Sequence, residues 1–211
     1  VGGISTSIRI CDETKIDANL EEVRRTIPIA AELDVPLLRV FGGGLPEGKS
    51  KEELADLGQS MMEKILGIDG ADAFRWVLET HDLWISSEDC RLLLDRVPQE
   101  AFGILWDVGH TARVGGEDPA ASLAAFGDRA FYIHVKDAVY DTSHPEAMKD
   151  GWRYVEPGTG QLPLEAALQL MKERSYDGYV MFEWEKRWHR ELPEPEEMFP
   201  KYIRWFNGLD L

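Results

Sequence analysis

The sequence predicts an α/β protein built on a parallel β-sheet. Short, almost continuously apolar runs recur along the chain, and amphipathic stretches of helical period separate them. Strands that are apolar on both faces are typical of a sheet covered by helices on both sides. The six strand-like runs are Gly3–Ile10, Pro36–Phe41, Phe74–His81, Phe102–Asp107, Phe131–Val135 and Tyr179–Trp184.

Helix start signals precede several of the intervening stretches. Ser50 with Glu53 forms a capping-box signature. Pro119 stands at a first helical position, where its missing N–H has no cost. Three predicted helices are marked by apolar stripes, at Leu20–Ala31, Leu54–Ile65 and Leu164–Met171. Two more begin near Ser86 and Pro119, and a closing helix is predicted at Phe199–Phe206.

Six βα units are two short of a closed barrel. A (β/α)8 barrel has eight strands and typically about 250 residues, whereas this chain has 211 residues and begins in a strand-like run. We therefore expect residues 1–211 to form one TIM-barrel domain that lacks its first two βα units; a six-stranded open sheet is the alternative. The connection from Ala138 to Gln161 is unusually long, which predicts a functional loop.

The composition argues against several classes of partner. The formal net charge is −16, so the surface repels nucleic-acid phosphates and anionic membranes. No apolar run reaches the roughly 18 residues of a transmembrane helix, and the first residues do not resemble a signal peptide. Cys11 and Cys90 form no CxxC pair, which argues against a thiolate zinc site or a disulfide framework. These features together predict a cytoplasmic location.

Polar side chains stand at the ends of four strand-like runs, where functional groups of α/β barrels gather. Because side chains alternate along a strand, these groups converge if the faces that carry them point into the barrel. Buried carboxylates need a cation or a raised pKa, and three carboxylates with one imidazole suit Mn²⁺, Mg²⁺ or Co²⁺, with Zn²⁺ as a further option. Taken alone, such a carboxylate usually caps the next helix or pairs with a surface lysine, and such a histidine is more often a hydrogen-bonded core residue than a ligand. The predicted metal ligands are Glu79, Asp107, His134 and Glu183.

Other polar residues near these strand ends have more than one interpretation. His81 and His110 are candidates for binding substrate hydroxyl groups, or are simply loop residues. Lys136 is a third candidate for substrate binding, although Lys136 and Asp137 could also pair with each other or with neighbouring residues. Glu185 is the rival of Glu183, because it lies two residues further along the same strand.

Four short motifs resemble those of the xylose-isomerase-like TIM-barrel superfamily of sugar isomerases and epimerases: LETH, WDVGH, HVKD and FEWE. The resemblance extends over nearly all of the chain and makes its six strands the third to eighth of the barrel. It implies that Glu79, Asp107, His134 and Glu183 ligate one divalent metal ion. It also implies that Glu79 and Glu183 form an acid–base pair and that His110 touches the substrate.

The expected function is a divalent-metal-dependent isomerase or epimerase. It would act on a sugar or ketose by proton transfer through a metal-stabilised enediolate. The alternative is a metal-dependent dehydratase or lyase acting on a cyclic polyol or a sugar derivative. A DNA-repair endonuclease fits less well, because the chain has five histidines and a strongly acidic charge. A non-enzymatic sugar-binding role is also open. The expected partner is a small sugar molecule, and family members often form homodimers.

Overall fold

The computed structural model of the protein describes residues 1–44, 48–97 and 100–211. Its strands are β1 (Gly3–Arg9), β2 (Leu37–Phe41), β3 (Arg75–Glu79), β4 (Phe102–Asp107), β5 (Ala130–Val135), β6 (Asp137–Tyr140), β7 (Trp152–Val155) and β8 (Tyr179–Phe182). Its helices are α1 (Ile16–Glu32), α2 (Lys51–Leu66), α3 (Ser87–Arg96), α4 (Val108–Arg113), α5 (Pro119–Phe126), α6 (Leu164–Glu173) and α7 (Pro195–Gly208).

Six of these strands form one sheet in the order β1-β2-β3-β4-β5-β8. The strands β1 to β4 pair in parallel, as the alternation of strands and helices predicted. The six predicted strand runs correspond to these six strands, and that prediction is confirmed. The predicted closing helix, Phe199–Phe206, starts too late. Helix α7 begins at Pro195, and proline is tolerated in the first turn of a helix because its missing N–H would have no partner there.

The prediction of one long loop from Ala138 to Gln161 was wrong in part. Strands β6 and β7 pair in an antiparallel ribbon that occupies both ends of this connection. Tyr140 faces Trp152 across the ribbon, with ring centroids 5.6 Å apart, which is a stabilising cross-strand pair. Each strand has only four residues, so its alternation is too short to be distinguished from a loop in the sequence.

The fold divides into two compact units. The first comprises Val1–Trp106 and Ala121–Tyr132, and the second comprises Asp107–Ala120 and Ile133–Leu211. Strands β2, β3 and β4 supply the core of the first unit, with Leu38, Trp76 and Phe102 in register and completely buried. The predicted capping box of α2 is present, since Ser50 Oγ accepts from the Glu53 N–H and the Glu53 carboxylate accepts from the Ser50 N–H.

Asp137 organises the backbone that follows the ribbon in the second unit. Its carboxylate accepts hydrogen bonds from the N–H groups of Gly158 and Gly160, both at 2.9 Å, and from those of Ala138 and Leu162. Three of these four donors lie between β7 and α6, so the buried carboxylate fixes that turn. Asp137 therefore has a structural role, and the alternative that it pairs with Lys136 is not borne out.

None of the helices in the described part of the chain is long and apolar enough to cross a bilayer. Cys11 and Cys90 are both buried, free thiols. Burial raises the pKa of the Cys11 thiol, so this group is held in its neutral form.

Gly103 provides a test of the packing in the first unit. A Cβ atom at this position of β4 would lie 2.6 Å from the Arg129 carbonyl oxygen and closer still to the Phe131 ring. We expect Gly103→Ala to lower the free energy of unfolding by about 1–3 kcal/mol, which is typical of overpacking. Urea denaturation followed by circular dichroism measures this change.

Gly208→Ala is the matched control, because no atom lies within 4 Å of the added methyl group. It should leave stability unchanged or raise it slightly, since alanine restricts the unfolded chain. Equal stability of the two variants would contradict the packing described for β4.

Candidate functional site

Three of the four predicted metal ligands converge in the second unit. Asp107 ends β4, His134 lies near the end of β5, and Glu183 directly follows β8. The backbone positions Glu183 beside β5, because its N–H donates to the Val135 carbonyl. One candidate ligand atom from each of the three side chains lies within 4.8 Å of the others.

Asp107 has two roles at once. Its Oδ1 accepts from the His110 N–H at 2.9 Å and caps α4, while its Oδ2 faces the cluster. The short helix α4 was not predicted; Asp107 of the WDVGH motif is its N-cap residue, and His110 of the same motif lies within the helix. The side chain of Asp107 is completely buried, so its carboxylate is fixed by the strand on one side and by the helix cap on the other.

The ammonium group of Lys136 lies at the centre of the cluster. Its Nζ is 2.9 Å from Asp107 Oδ2, 2.7 Å from Glu183 Oε2 and 2.7 Å from Glu185 Oε1. Lys136 is only 2% exposed. A buried ammonium is strongly destabilising unless it is paired, and here three carboxylates surround it. His134 completes the cluster, with its Nδ1 3.4 Å from Glu183 Oε2.

The charges in the cluster shift the pKa values of its members in different directions. Burial raises the pKa of Asp107 above its usual range, although the Lys136 charge opposes this. Burial also opposes ionisation of Glu183, but the hydrogen bond with His134 and the charge of Lys136 hold its pKa below the usual range. Burial disfavours the charged form of Lys136, yet the charges of Asp107, Glu183 and Glu185 raise its pKa. The carboxylate partners therefore favour the charged form of the lysine.

The cluster fits a divalent cation in both its donor atoms and its charge. Counted formally, with ionised carboxyl groups and neutral histidines, the three carboxylates and one ammonium give the cluster a net charge of two negative units. Two carboxylates and an imidazole are ligands that Mn²⁺, Co²⁺ and Zn²⁺ accept in proteins. Buried negative charge of this size favours the binding of a dication.

His110 and Tyr154 lie on the other sides of the lysine. The His110 Nε2 is 3.3 Å from Lys136 Nζ, and the Tyr154 ring centroid is 5.8 Å from it. Burial raises the pKa of Tyr154 to about 12, so the phenol stays protonated. Tyr154 was not identified from the sequence, because it lies in the ribbon strand β7 that the sequence did not reveal.

The two remaining predicted site residues, Glu79 and His81, belong to the first unit. Glu79 ends β3, is 1% exposed and forms an ion pair with Arg39. The ring of Phe41 packs against both Arg39, at 3.8 Å, and His81, at 4.9 Å. Arg39 was not identified from the sequence, although an arginine inside the apolar run of β2 indicates a buried acidic partner.

A family model described as a xylose isomerase-like TIM barrel matches residues 5–209. The chain belongs to this family. Its fold class is therefore that of the (β/α)8 TIM barrel, as the sequence predicted, and the open-sheet alternative is set aside.

Curated relatives at low identity are mainly inosose dehydratases. The inosose dehydratase of Clostridium tetani is 26% identical over 110 residues, which is 48% of this chain and 36% of that protein. The rhizopine catabolism protein MocC of Rhizobium meliloti is 28% identical over 143 residues, covering 64% of this chain and 41% of that protein. The matches thus span well under half the length of these relatives.

Solved structures confirm the fold. The IOLI protein with a bound zinc atom has a TM-score of 0.78 at 17% identity, and the match covers 98% of this chain and 75% of that one. Identity this low is evidence for the fold alone.

Lys136→Met tests the charge balance of the cluster. Removing the ammonium leaves three carboxylates without their cation, so we expect the free energy of unfolding at pH 7 to fall by roughly 3–5 kcal/mol. In this variant the folded-state pKa values of the carboxyl groups rise above their unfolded values, which destabilises the ionised form. The deficit should therefore shrink as the pH falls toward about 4.

Lys201→Met is the matched control for this measurement. Lys201 pairs with Glu156 and Glu197 on the surface of the same unit, so its loss changes the net charge equally. Its stability should be close to that of the parent protein. Thermal or urea unfolding of Lys136→Met that matches the control would contradict a central role for the lysine.

Proposed function

We propose that the protein is a divalent-metal-dependent enzyme that acts on a polyhydroxylated carbonyl compound, such as a sugar or a cyclic polyol ketone. Its reaction begins by removal of a proton from the carbon next to the carbonyl group. The observation that carries this proposal is the convergence of Asp107, His134 and Glu183, whose ligand atoms lie within 4.8 Å of one another. Family membership supports it.

Asp107, His134 and Glu183 would hold one divalent ion, with Glu79 as the proposed fourth ligand. Glu79 is a buried carboxylate at the end of β3. Mn²⁺, Mg²⁺ and Co²⁺ suit this donor set, and the zinc atom of the IOLI protein keeps Zn²⁺ in consideration. When bound, the ion supplies Lewis acidity that makes a neighbouring C–H group more acidic.

Glu183 is the proposed base. Before a metal ion binds, its Oε2 lies 2.7 Å from Lys136 Nζ and 3.4 Å from His134 Nδ1, and these contacts favour the ionised carboxylate. Glu79 is the proposed second acid–base group, held in place by Arg39. His81, His110 and Lys136 carry donors that would bind substrate hydroxyl groups, and burial of the cluster would keep bulk water from competing.

Two reactions can follow proton removal. Loss of a neighbouring hydroxyl group as water gives a dehydratase, and return of the proton to another face or carbon gives an epimerase or isomerase. The curated relatives named inosose dehydratase favour dehydration as the reaction of this protein. The two buried or partly buried glutamates, Glu79 and Glu183, suit proton return and keep isomerisation as the second candidate.

Metal content tests the proposed site. The purified protein incubated with Mn²⁺ and then desalted should retain about one ion per chain, measured by elemental analysis. The double variant His134→Ala/Glu183→Ala should retain none, because two of the ligands are gone. The control His144→Ala/Glu146→Ala makes the same changes in an outer segment of the same unit and should retain the ion. A parent protein that retains no metal would refute the metal site.

Proton exchange in deuterated water tests the role of Glu183. The Mn²⁺-loaded protein should incorporate deuterium beside the carbonyl of an inosose or a ketohexose, as followed by NMR. Glu183→Gln should lower this rate by at least about a hundredfold, as expected for loss of a general base. Glu197→Gln, on the surface of α7, should not change it.

The products of the same incubation separate the two reactions. A dehydrated product that absorbs in the ultraviolet identifies a dehydratase, and an isomeric sugar identifies an isomerase or epimerase. Undiminished exchange in Glu183→Gln would refute the assignment of the base.

A further inference from the structure

Lys136 contacts the same oxygen atoms that the proposed metal site requires. Its Nζ is 2.9 Å from Asp107 Oδ2 and 2.7 Å from Glu183 Oε2. An ammonium and a divalent cation cannot both stay within bonding distance of the same two oxygens, because like charges so close repel strongly. Lysine and metal are therefore competitors for this pair of carboxylates.

The Glu185 carboxylate is a separate ion-pair partner for Lys136. Its Oε1 lies 2.7 Å from Lys136 Nζ, at the start of the segment that follows β8. Among the described residues, the groups with convergent metal-ligand atoms contain Glu183 and not Glu185. The second glutamate of FEWE therefore holds the lysine without belonging to the proposed ligand set.

The stem of Lys136 packs closely over a glycine of α4. A Cβ atom at Gly109 would lie 2.8 Å from Lys136 Cγ and 3.4 Å from its Cδ. Lysine carries its charge on a flexible four-carbon stem, so a small rotation displaces the ammonium while the backbone stays in place. The glycine of WDVGH thus allows the stem to lie against α4.

We propose that Lys136 is an internal counter-ion that sets the affinity of the site for its metal. It neutralises Asp107 and Glu183 in the metal-free protein and withdraws to Glu185 when a divalent cation binds. This inference rests on the metal site of the proposed function. It assigns opposite effects to two neighbouring charges, since the lysine weakens metal binding and Glu185 strengthens it.

Mn²⁺ titration, followed by the electron paramagnetic resonance signal of the free ion, measures both effects. Lys136→Met should bind Mn²⁺ roughly tenfold or more tightly than the parent, a coupling of the usual size between two competing cations. Lys201→Met, which changes the net charge equally outside the site, should bind like the parent. Parent-like or weaker binding by Lys136→Met would overturn the inference.

Glu185→Gln keeps the ammonium and the shape of the side chain, and it should weaken Mn²⁺ binding several-fold. This variant tests the inference even if Lys136→Met does not fold, since unchanged affinity would overturn it. In the double variant Lys136→Met/Glu185→Gln the second change should have no further effect, because Glu185 acts through the lysine. A persisting effect would mean that Glu185 touches the metal directly, and would overturn its proposed role.

The same titration separates this inference from the proposed function. Absence of Mn²⁺ binding in the parent and in all folded variants removes the metal site and the inference together. Binding by the parent with no gain in Lys136→Met leaves the metal site standing and removes only the counter-ion.

Discussion

The pairing of buried carboxylates with one lysine is the interaction on which the second unit depends. Asp107, Glu183 and Glu185 all contact Lys136, which is itself buried. Withdrawing four charged groups from water is unfavourable unless each finds a partner at short range. The strand ends and the N-terminal cap of α4 place these charged groups close to one another, so that each has a partner. The arrangement keeps a surplus of negative charge, and that surplus favours a dication.

Much of the fold was predictable because local patterns and tertiary packing agree. The apolar runs of β2, β3 and β4 are buried on both faces, and such runs are easy to detect. The capping box of Ser50 and Glu53 marked the start of α2. Two simple rules, side-chain alternation and the polarity of strand ends, were enough to place Asp107, His134 and Glu183 in one cluster.

The remainder could not be read from the sequence for physical reasons. The ribbon of β6 and β7 is held by cross-strand contacts, which a four-residue pattern does not encode. Lys136 stands beside Asp137 in the chain, yet its partners lie up to 49 residues away. The Asp137 carboxylate instead accepts hydrogen bonds from four backbone N–H groups. Charge pairing is a tertiary property, so the sequence identified the charged residues but not their partners.

Crystals grown with Zn²⁺ and recorded at the zinc absorption edge test the central claim most directly. The account predicts one anomalous peak with ligand distances of about 2.0–2.2 Å to Asp107, His134 and Glu183. It also predicts that the Lys136 ammonium has left Asp107 and remains on Glu185. A peak bound elsewhere, or a site in which Lys136 still bridges Asp107 and Glu183 at full zinc occupancy, would contradict the account.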